Sequence, residues 1–231
     1  MKTLSNSKDI GRDELSCRIR LMNKKDIPQV TSIDREAFPT MWPPVNFAHE
    51  LNNRMAHYVV SCDGSRTIIN PEPKPTIRLV PVHSFLGIKW PFKSRPADEE
   101  TSPEPVEYIT GFVGMWIMVD EAHIINIAVR EVCRGKGIGE LLLISSLDMA
   151  YKLKAQVATL EVRASNTIAQ NLYSKYGFSK VGVRRGYYTD NKEDAFIMTT
   201  DIITLDSYRF KFQKLKEIHF TRIGKCDYQL E

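Results

Sequence analysis

The chain has few cysteines, and none of them lies at a metal-binding or redox spacing. The four cysteines, Cys17, Cys62, Cys133 and Cys226, are scattered singly along 231 residues, without a C-x-x-C pair. Neither a zinc site nor a redox motif is therefore indicated, and the density is too low for a disulfide framework. The histidines also lack metal-ligand spacing, so we expect no metal and assign no chemistry to His57, His83, His123 or His219.

Long apolar runs and a strong charge imbalance are missing as well. No uninterrupted apolar stretch approaches the ~18 residues of a membrane span, and Met1 to Asp13 contain no apolar core of a signal peptide. With 32 basic and 28 acidic residues the net charge is only +4, which does not imply nucleic-acid binding. Together with the unpaired cysteines, these absences predict a cytoplasmic protein that binds neither membrane nor DNA.

Proline is concentrated in one segment of the chain. Eight of the twelve prolines lie between Pro71 and Pro105. Because proline removes a backbone donor and fixes φ, we interpret residues 63–107 as a long insertion in a loop between two strands. Its apolar middle, Ile77 to Trp90, fits a docked segment and an undocked one equally well, and we expect the residues from Ser94 onward to be disordered.

Outside the insertion, hydrophobic periodicity predicts strands alternating with helices. Strands are predicted at residues 17–21, 57–61, 108–119, 122–129, 157–163, 178–187 and 195–202, and helices at about 26–38, 45–55, 140–154 and 166–176. Hairpins combined with two crossover helices indicate a mixed α/β sheet rather than a doubly wound one. We expect a flexible N-terminus (residues 1–16), one mixed α/β domain (17–203) and a C-terminal extension (204–231).

A glycine-rich turn joins one of these strands to the helix that follows. Its sequence is Arg134-Gly135-Lys136-Gly137-Ile138-Gly139. Such a turn leaves backbone N–H groups at a helix start unpaired, beside two basic side chains, which favours a phosphate ligand. The spacing matches neither the Walker loop nor the dinucleotide fingerprint, so on spacing alone a plain tight connection is the commoner explanation.

The motifs together resemble a known family. The R-x-x-G-x-G turn and the order of elements resemble the GNAT superfamily of acyl-CoA-dependent N-acetyltransferases. Further motifs resemble its RimI-type N-terminal acetyltransferases of ribosomal proteins: Asn126-Ile127-Ala128-Val129, Leu160 to Asn166, Leu172-Tyr173 with Gly177-Phe178, and Arg184 to Tyr188 followed by Glu193-Asp194-Ala195. The match covers Ile19 to Ile202 without the insertion. One departure is Gly186, which stands where the family usually has Asn.

The resemblance implies a mostly antiparallel, splayed sheet flanked by helices, and acetyl-CoA as co-substrate. The pyrophosphate would be held by backbone N–H groups from Gly135 to Glu140, with the side chains of Arg134 and Lys136. The pantetheine arm would lie between the splayed strands against Ile127, Ala128 and Val129. Asn166 would also bond the arm, or else it only caps a helix; one amide can do both.

Two residues resemble the catalytic residues of the family. Glu161 resembles its general base, and Tyr173 its general acid, close to the coenzyme sulfur. A backbone N–H of the splayed strand, with Val129 a plausible donor, would polarise the thioester carbonyl. From the residues alone, the better explanation of Glu161 is an exposed charge beside Arg163 on a strand, and that of Tyr173 is ordinary helix packing.

The acceptor implied by the resemblance is the N-terminal α-amine of a protein. Within that class, it implies a small-subunit ribosomal protein with an N-terminal alanine. Phe38 and Trp42, between the first two helices, and Tyr187 and Tyr188, on the penultimate strand, are the candidate walls of its groove. Each aromatic is explained equally well as sealing the sheet edge. Other open alternatives are a lysine or small-amine acetyltransferase and a non-catalytic acyl-CoA-binding module.

The sequence of the C-terminal extension predicts a basic amphipathic helix capped by Asp206 or Ser207. Tyr208, Phe212 and Leu215 share one face, and the residues predicted to be solvated are Arg209, Lys211, Lys214 and Lys216. The helix either packs back on the domain or makes a basic contact with the ribosome or RNA.

Overall fold

A computed structural model describes residues 16–40, 44–70 and 104–230. Its elements, in chain order, are β1 (Cys17–Leu21), α1 (Ile27–Ala37), α2 (Phe47–Glu50), β2 (Ala56–Ile69), β3 (Pro105–Met118), β4 (Glu121–Val129), α3 (Ile138–Lys152), β5 (Val157–Arg163), α4 (Thr167–Lys175), β6 (Phe178–Arg184), β7 (Ala195–Thr200), α5 (Asp206–Ile223) and β8 (Cys226–Gln229). The predicted order of elements is confirmed through β7. Within the described ranges, no helix is long and apolar enough to cross a membrane.

All the strands belong to one sheet, in the order β6-β7-β5-β4-β3-β2-β1-β8. Neighbouring strands are antiparallel except at β4–β5 and β1–β8, which are parallel. The β4–β5 pair is parallel because α3 crosses over between them, whereas the antiparallel pairs need only hairpins or short returns. The predicted mixed, mostly antiparallel sheet is therefore confirmed.

Helices cover both faces of this sheet. On one face α3 is buried almost all round, because it lies between the sheet and α5. Its leucine and isoleucine side chains exposed by no more than 1% are Leu141, Leu142, Leu143, Ile144 and Leu147. On the other face α1 and α2 pack through Val30, Ile33 and Phe47 against Phe112 of β3. Since successive side chains of a strand point to opposite faces, the sheet separates two apolar clusters.

The strands that flank the insertion are longer than predicted. Strand β2 continues to Ile69 and β3 begins at Pro105, and these two residues are paired. The two ends assigned to the insertion, residues 63–69 and 105–107, therefore belong to strands, which proline permits at the first position of a strand. The apolar middle of the insertion and the N-terminus up to residue 15 lie outside the described residues.

The C-terminal extension packs back on the domain. Tyr208 and Phe212 of α5 are buried in the larger cluster, as predicted. Two details differ from the sequence interpretation. The N-cap of α5 is Leu205, so neither Asp206 nor Ser207 caps the helix, and β8, which was not predicted, pairs in parallel with β1.

A buried carboxylate on α3 fixes the extension. Asp148 accepts hydrogen bonds from Lys216 of α5 and from the Tyr228 hydroxyl of β8, the latter at 2.9 Å. The Arg209 guanidinium lies 3.6 Å from the same carboxylate and stacks on Tyr151. The prediction that Arg209 and Lys216 are solvated is therefore wrong, because their partner lies on a helix far away in sequence.

Replacing Asp148 by Asn is expected to destabilise the protein by about 3 kcal/mol, because two largely buried cations lose their counter-charge. The free energy of unfolding, measured by urea denaturation, tests this. The matched control is Glu217→Gln on the exposed side of α5, for which we expect a change within about 0.5 kcal/mol. Equal stabilities of the two variants would contradict the anchoring role of Asp148.

Candidate active site

The site begins where β4 and β5 separate. Their parallel pairing runs from Glu121 with Val157 to Ile124 with Leu160 and then stops, although both strands continue. At the same point β4 carries an extra residue, Ile125, relative to β3, and such a bulge bends a strand. The β4 backbone beyond Ile124 is therefore left without β5 as a partner, which is the splay that the family resemblance implied.

A pocket of about 600 Å³ lies at this opening. It brings together seven of the predicted site residues: Phe38, Ile127, Glu161, Asn166, Tyr173, Tyr187 and Tyr188. Ala128 faces the other way and is buried against α1 and α2, while Val129 packs beside the glycine turn. Trp42 lies outside the described residues.

The glycine turn leaves β4 and starts α3. Gly135 and Gly137 have φ values of +77° and +85°, a left-handed conformation that favours glycine, and Gly137 is the N-cap of α3. Because that cap carries no side chain, the first N–H groups of α3 are not satisfied by it. A Cβ added at Gly135 would meet no atom within 4 Å, so the turn is open on that side.

Two basic side chains lie beside the turn. Arg134 donates from Nε to the carbonyl of Val129 at 3.2 Å, and both Arg134 and Lys136 are exposed. The turn therefore combines unsatisfied N–H groups, the positive end of a helix dipole and two cations. These are the features that hold a diphosphate, so the residues present fit the coenzyme that the sequence predicted.

Asn166 and Tyr173 lie on α4 at the pocket. Asn166 caps the helix, since its side-chain oxygen accepts from the N–H of Ala169 at 3.1 Å. The cap predicted from the sequence is thus confirmed, and it uses only the side-chain oxygen of Asn166. Burial raises the pKa of Tyr173 to about 12, so the phenol is protonated at neutral pH.

Glu161 is held rigidly on β5 and is not an exposed charge. Its side chain is only 9% exposed and lines the pocket. One oxygen lies 2.8 Å from Nε2 of His123, and the other lies 2.9 Å from the Arg184 guanidinium. The hydrogen bond with His123 lowers the pKa of Glu161 below its ordinary value, and Arg184 lowers it further, so the carboxylate is ionised at neutral pH.

The sequence assigned no chemistry to His123, because its partner lies on another strand. It stands on β4 behind Glu161 and does not itself line the pocket. The bond to Glu161 raises the pKa of His123 above the ordinary value near 6.5, against the opposing effect of burial. The parallel register of His123 with Thr159 brings the pair together, and a sequence does not reveal that register.

The acceptor side of the pocket has two walls. Phe38 ends α1 on one wall, and Tyr187 and Tyr188 stand on the other with ring centroids 5.3 Å apart. The walls touch where Thr40 donates to Asp190 at 3.0 Å, and Arg163 holds Asp190 from below while stacking on Tyr188. The aromatic side chains of the two walls therefore flank the entrance of the pocket, and the hydrogen bond between Thr40 and Asp190 crosses it.

Tyr187 and Tyr188 do not lie on a strand, which corrects the sequence interpretation. Strand β6 ends at Arg184, and the chain turns at Gly186, whose φ is +57°. Asn is one of the residues that tolerate this left-handed conformation. The Asn usual at this position in the family and the Gly found here therefore support the same turn.

Asn126 is a further residue that the sequence did not single out. It lines the pocket and is only 6% exposed. Neither its side-chain nitrogen nor its oxygen has a hydrogen-bond partner within residues 16–40, 44–70 and 104–230. Its place in the Asn126-Ile127-Ala128-Val129 motif was the available signal.

No group of three or more His, Cys, Asp or Glu within residues 16–40, 44–70 and 104–230 is arranged to hold a metal ion.

Comparisons with known proteins agree with this geometry. The model of the acetyltransferase (GNAT) family matches residues 88–178. A candidate ribosomal protein bS18-alanine N-acetyltransferase of Bacillus subtilis (strain 168) is 33% identical over 80% of this chain and 95% of its own. An N-alpha-acetyltransferase of Sulfurisphaera tokodaii is 31% identical over 80% of this chain and 93% of its own.

The same fold is found among solved structures. The crystal structure of the ribosomal-protein-S18-alanine N-acetyltransferase from Escherichia coli superposes with a TM-score of 0.56. The two chains are 24% identical, and the match covers 80% of this chain and 94% of the other. At this identity the likeness shows the fold.

The contact between His123 and Glu161 is testable in solution. We expect an NMR titration to give His123 a pKa above 6.5, and Glu161→Gln to bring it below 6.5, because burial then outweighs the weaker attraction of Glu121. The control is Glu121→Gln, whose carboxylate lies 3.8 Å from Nδ1 and raises the pKa of His123 less. If Glu161→Gln and Glu121→Gln lower the pKa equally, the pair is not formed.

Proposed function

The chain belongs to the GNAT family of acetyltransferases, and from that premise we propose that it transfers acetyl from acetyl-CoA to the N-terminal α-amine of a protein. The observation that carries this proposal is the placement of the Glu161 carboxylate and the Tyr173 phenol in one pocket, at the splay of β4 and β5. The Glu161 carboxylate and the Tyr173 hydroxyl thus both line the opening between β4 and β5, where a thioester and an amine can meet.

Residues on both sides of the splay are suited to the coenzyme, which supplies the activated acetyl group. We assign the diphosphate to the N–H groups from Gly135 to Glu140, with Arg134 and Lys136 beside them. The edge of Ile127 to Val129, free of β5, offers backbone groups to the pantetheine arm, and the amide of Asn166 offers another. The N–H of Val129 is assigned to the thioester carbonyl, whose oxygen gains charge during attack.

Glu161 is assigned as the proton acceptor for the amine. An α-ammonium has a pKa near ~8, whereas Glu161 is a weaker base than an ordinary carboxylate. The difference in pKa between the amine and its proton acceptor narrows if neutral His123 carries its hydrogen on Nδ1, facing Glu121, and takes the proton from Glu161 at Nε2 across the 2.8 Å contact, because the pKa of His123 is raised. In this scheme Glu161 faces the amine, and His123 is a positioning residue that stabilises the proton.

The remaining bond changes follow from this arrangement. The neutral amine attacks the acetyl carbon, the carbon–sulfur bond breaks, and the electron pair leaves with sulfur. The proton that the nitrogen loses as the amide forms neutralises the departing thiolate. Because the pKa of Tyr173 is about 12 and exceeds the ~8.5 of an ordinary thiol, Tyr173 donates a hydrogen bond that stabilises the thiolate more than it donates a proton.

We propose an N-terminal alanine of a ribosomal protein as the acceptor, which is the acceptor named for the Bacillus and Escherichia relatives. An α-amine suits this site better than the lysine ε-amine, whose pKa near ~10.4 leaves far less neutral amine at pH 7. Phe38, Tyr187 and Tyr188 are assigned to the first residues of the acceptor peptide.

The acceptor is tested by thiol release from acetyl-CoA with two peptides. One begins with a free alanine, and the other has the same sequence with a blocked terminus and one free lysine. We expect turnover with the free terminus and a rate at least about tenfold lower with lysine. Turnover with lysine alone would contradict the proposal, and coenzyme binding without turnover on any amine would favour a binding module.

The proposed proton transfer from Glu161 to His123 is tested by His123→Gln. The glutamine side chain can hydrogen-bond Glu161 but cannot take up a proton. We expect kcat to fall by about 10²-fold and the acidic limb of its pH profile to disappear, with coenzyme affinity unchanged. In the wild type, that limb falls as pH decreases through the raised pKa of His123. A wild-type profile in His123→Gln would show that Glu161 acts without His123. The matched control is Glu121→Gln, which keeps the pair intact.

A further inference from the structure

The last turn of α5 lies directly against the glycine turn. A Cβ placed on Gly137 would stand 3.1 Å from Cε1 of His219, 3.1 Å from Cγ2 of Ile223 and 3.3 Å from Nη2 of Arg222. The C-terminal extension therefore reaches the end of α3 that is assigned to the coenzyme diphosphate. An additional side chain at Gly137 would displace it.

Glu140 holds a guanidinium at this position. It is the third residue of α3, and its Oε2 accepts from Nη2 of Arg222 at 2.8 Å. Its Oε1 accepts from the Tyr176 hydroxyl at 2.7 Å and from Lys175 of α4. Although burial opposes ionisation, the hydrogen bonds from Lys175 and Tyr176 hold the pKa of Glu140 below its ordinary value.

The local charge leaves a positive surplus. Two cations, Lys175 and Arg222, face the single carboxylate of Glu140. His219, the other partner of that carboxylate, is fully buried, and burial lowers its pKa, so it adds no charge at neutral pH. Arg134 and Lys136 of the turn itself add two further exposed cations near the start of α3.

Arg222 keeps donors available for a ligand. Its side chain is 59% exposed, and among the described residues its hydrogen bonds use only Nη2, to Glu140 and to His219. A guanidinium has five N–H donors in a planar fork that matches a phosphate. The Glu140 carboxylate thus holds one edge of the Arg222 guanidinium and leaves its remaining N–H donors available to a phosphate.

From this geometry we propose that Arg222 of the C-terminal extension binds the diphosphate of acetyl-CoA, and that Glu140 positions it. The inference rests on the proposed acetyl-CoA-dependent function. It gives the extension a role in the coenzyme site, in addition to its packing on α3. The diphosphate is favoured over the 3′-phosphate because Nη2 of Arg222 would lie only 3.3 Å from a Cβ on Gly137, a residue of the turn itself.

The test compares Arg222→Gln and Arg222→Lys with Lys214→Gln, which removes the same charge from an exposed position of α5. Calorimetry with CoA is expected to give about tenfold weaker binding for Arg222→Gln, an intermediate loss for Arg222→Lys and no change for Lys214→Gln. With 3′-dephospho-CoA the loss for Arg222→Gln should be the same.

A second readout separates binding from a general structural defect. S-acetylpantetheine lacks the diphosphate, so its KM should be equal in wild type and Arg222→Gln, while the KM for acetyl-CoA rises about tenfold. Equal CoA affinities of wild type and Arg222→Gln would overturn the inference alone. A loss seen with CoA but not with 3′-dephospho-CoA would overturn the assignment to the diphosphate. Absence of CoA binding by the wild type would overturn the proposed function as well.

Discussion

The site depends on one interruption of backbone hydrogen bonding, the point where β4 and β5 stop pairing after Ile124 and Leu160. Up to that point the sheet is a continuous, buried structure, and beyond it two strands present unpaired edges. An unpaired edge inside a domain is costly unless some group satisfies it. The extended pantetheine arm proposed here is such a group, because its amides can bond the strand much as a neighbouring strand would. The bulge at Ile125, the pocket and the position of Glu161 all follow from this interruption.

Much of the fold was predictable because it rests on local patterns. The alternation in Val157 to Arg163 and the apolar periodicity of Ile138 to Tyr151 are set by residues close in sequence. The Asn166 cap and the left-handed Gly137 also depend only on their neighbours. By contrast, the His123–Glu161 contact depends on the register of two strands separated by a helix. The Asp148 contacts depend on how a distant helix docks. Neither relation leaves a trace in sequence spacing, so both escaped the sequence interpretation. The ends of β2, β3 and β6 were misjudged because pairing partners, rather than propensity, decide where a strand stops.

Helix α3 carries two carboxylates, Glu140 and Asp148, that both bind side chains of the C-terminal extension. Both are largely buried, and both are surrounded by cations and tyrosine hydroxyls from α4, α5 or β8. Such groups are stable only while their partners are present, since a buried charge without compensation is strongly unfavourable. The extension is thereby tied to the domain at two points two turns apart. One of the points lies in the core, and the other lies at the glycine turn, so packing of the extension and the shape of the coenzyme site are physically linked.

The pairing of Ile69 with Pro105 has a practical consequence for protein engineering. It brings the two ends of residues 70–104 together as neighbouring positions on β2 and β3. The entropy of closing such a loop grows only logarithmically with its length, by about 0.6 kcal/mol for each doubling. The attachment point is also roughly 20 Å along β3 from Gly111, where pairing with β4 begins. A change in chain length between these paired ends is therefore expected to cost little loop-closure entropy, and the ends themselves lie away from the splay of β4 and β5.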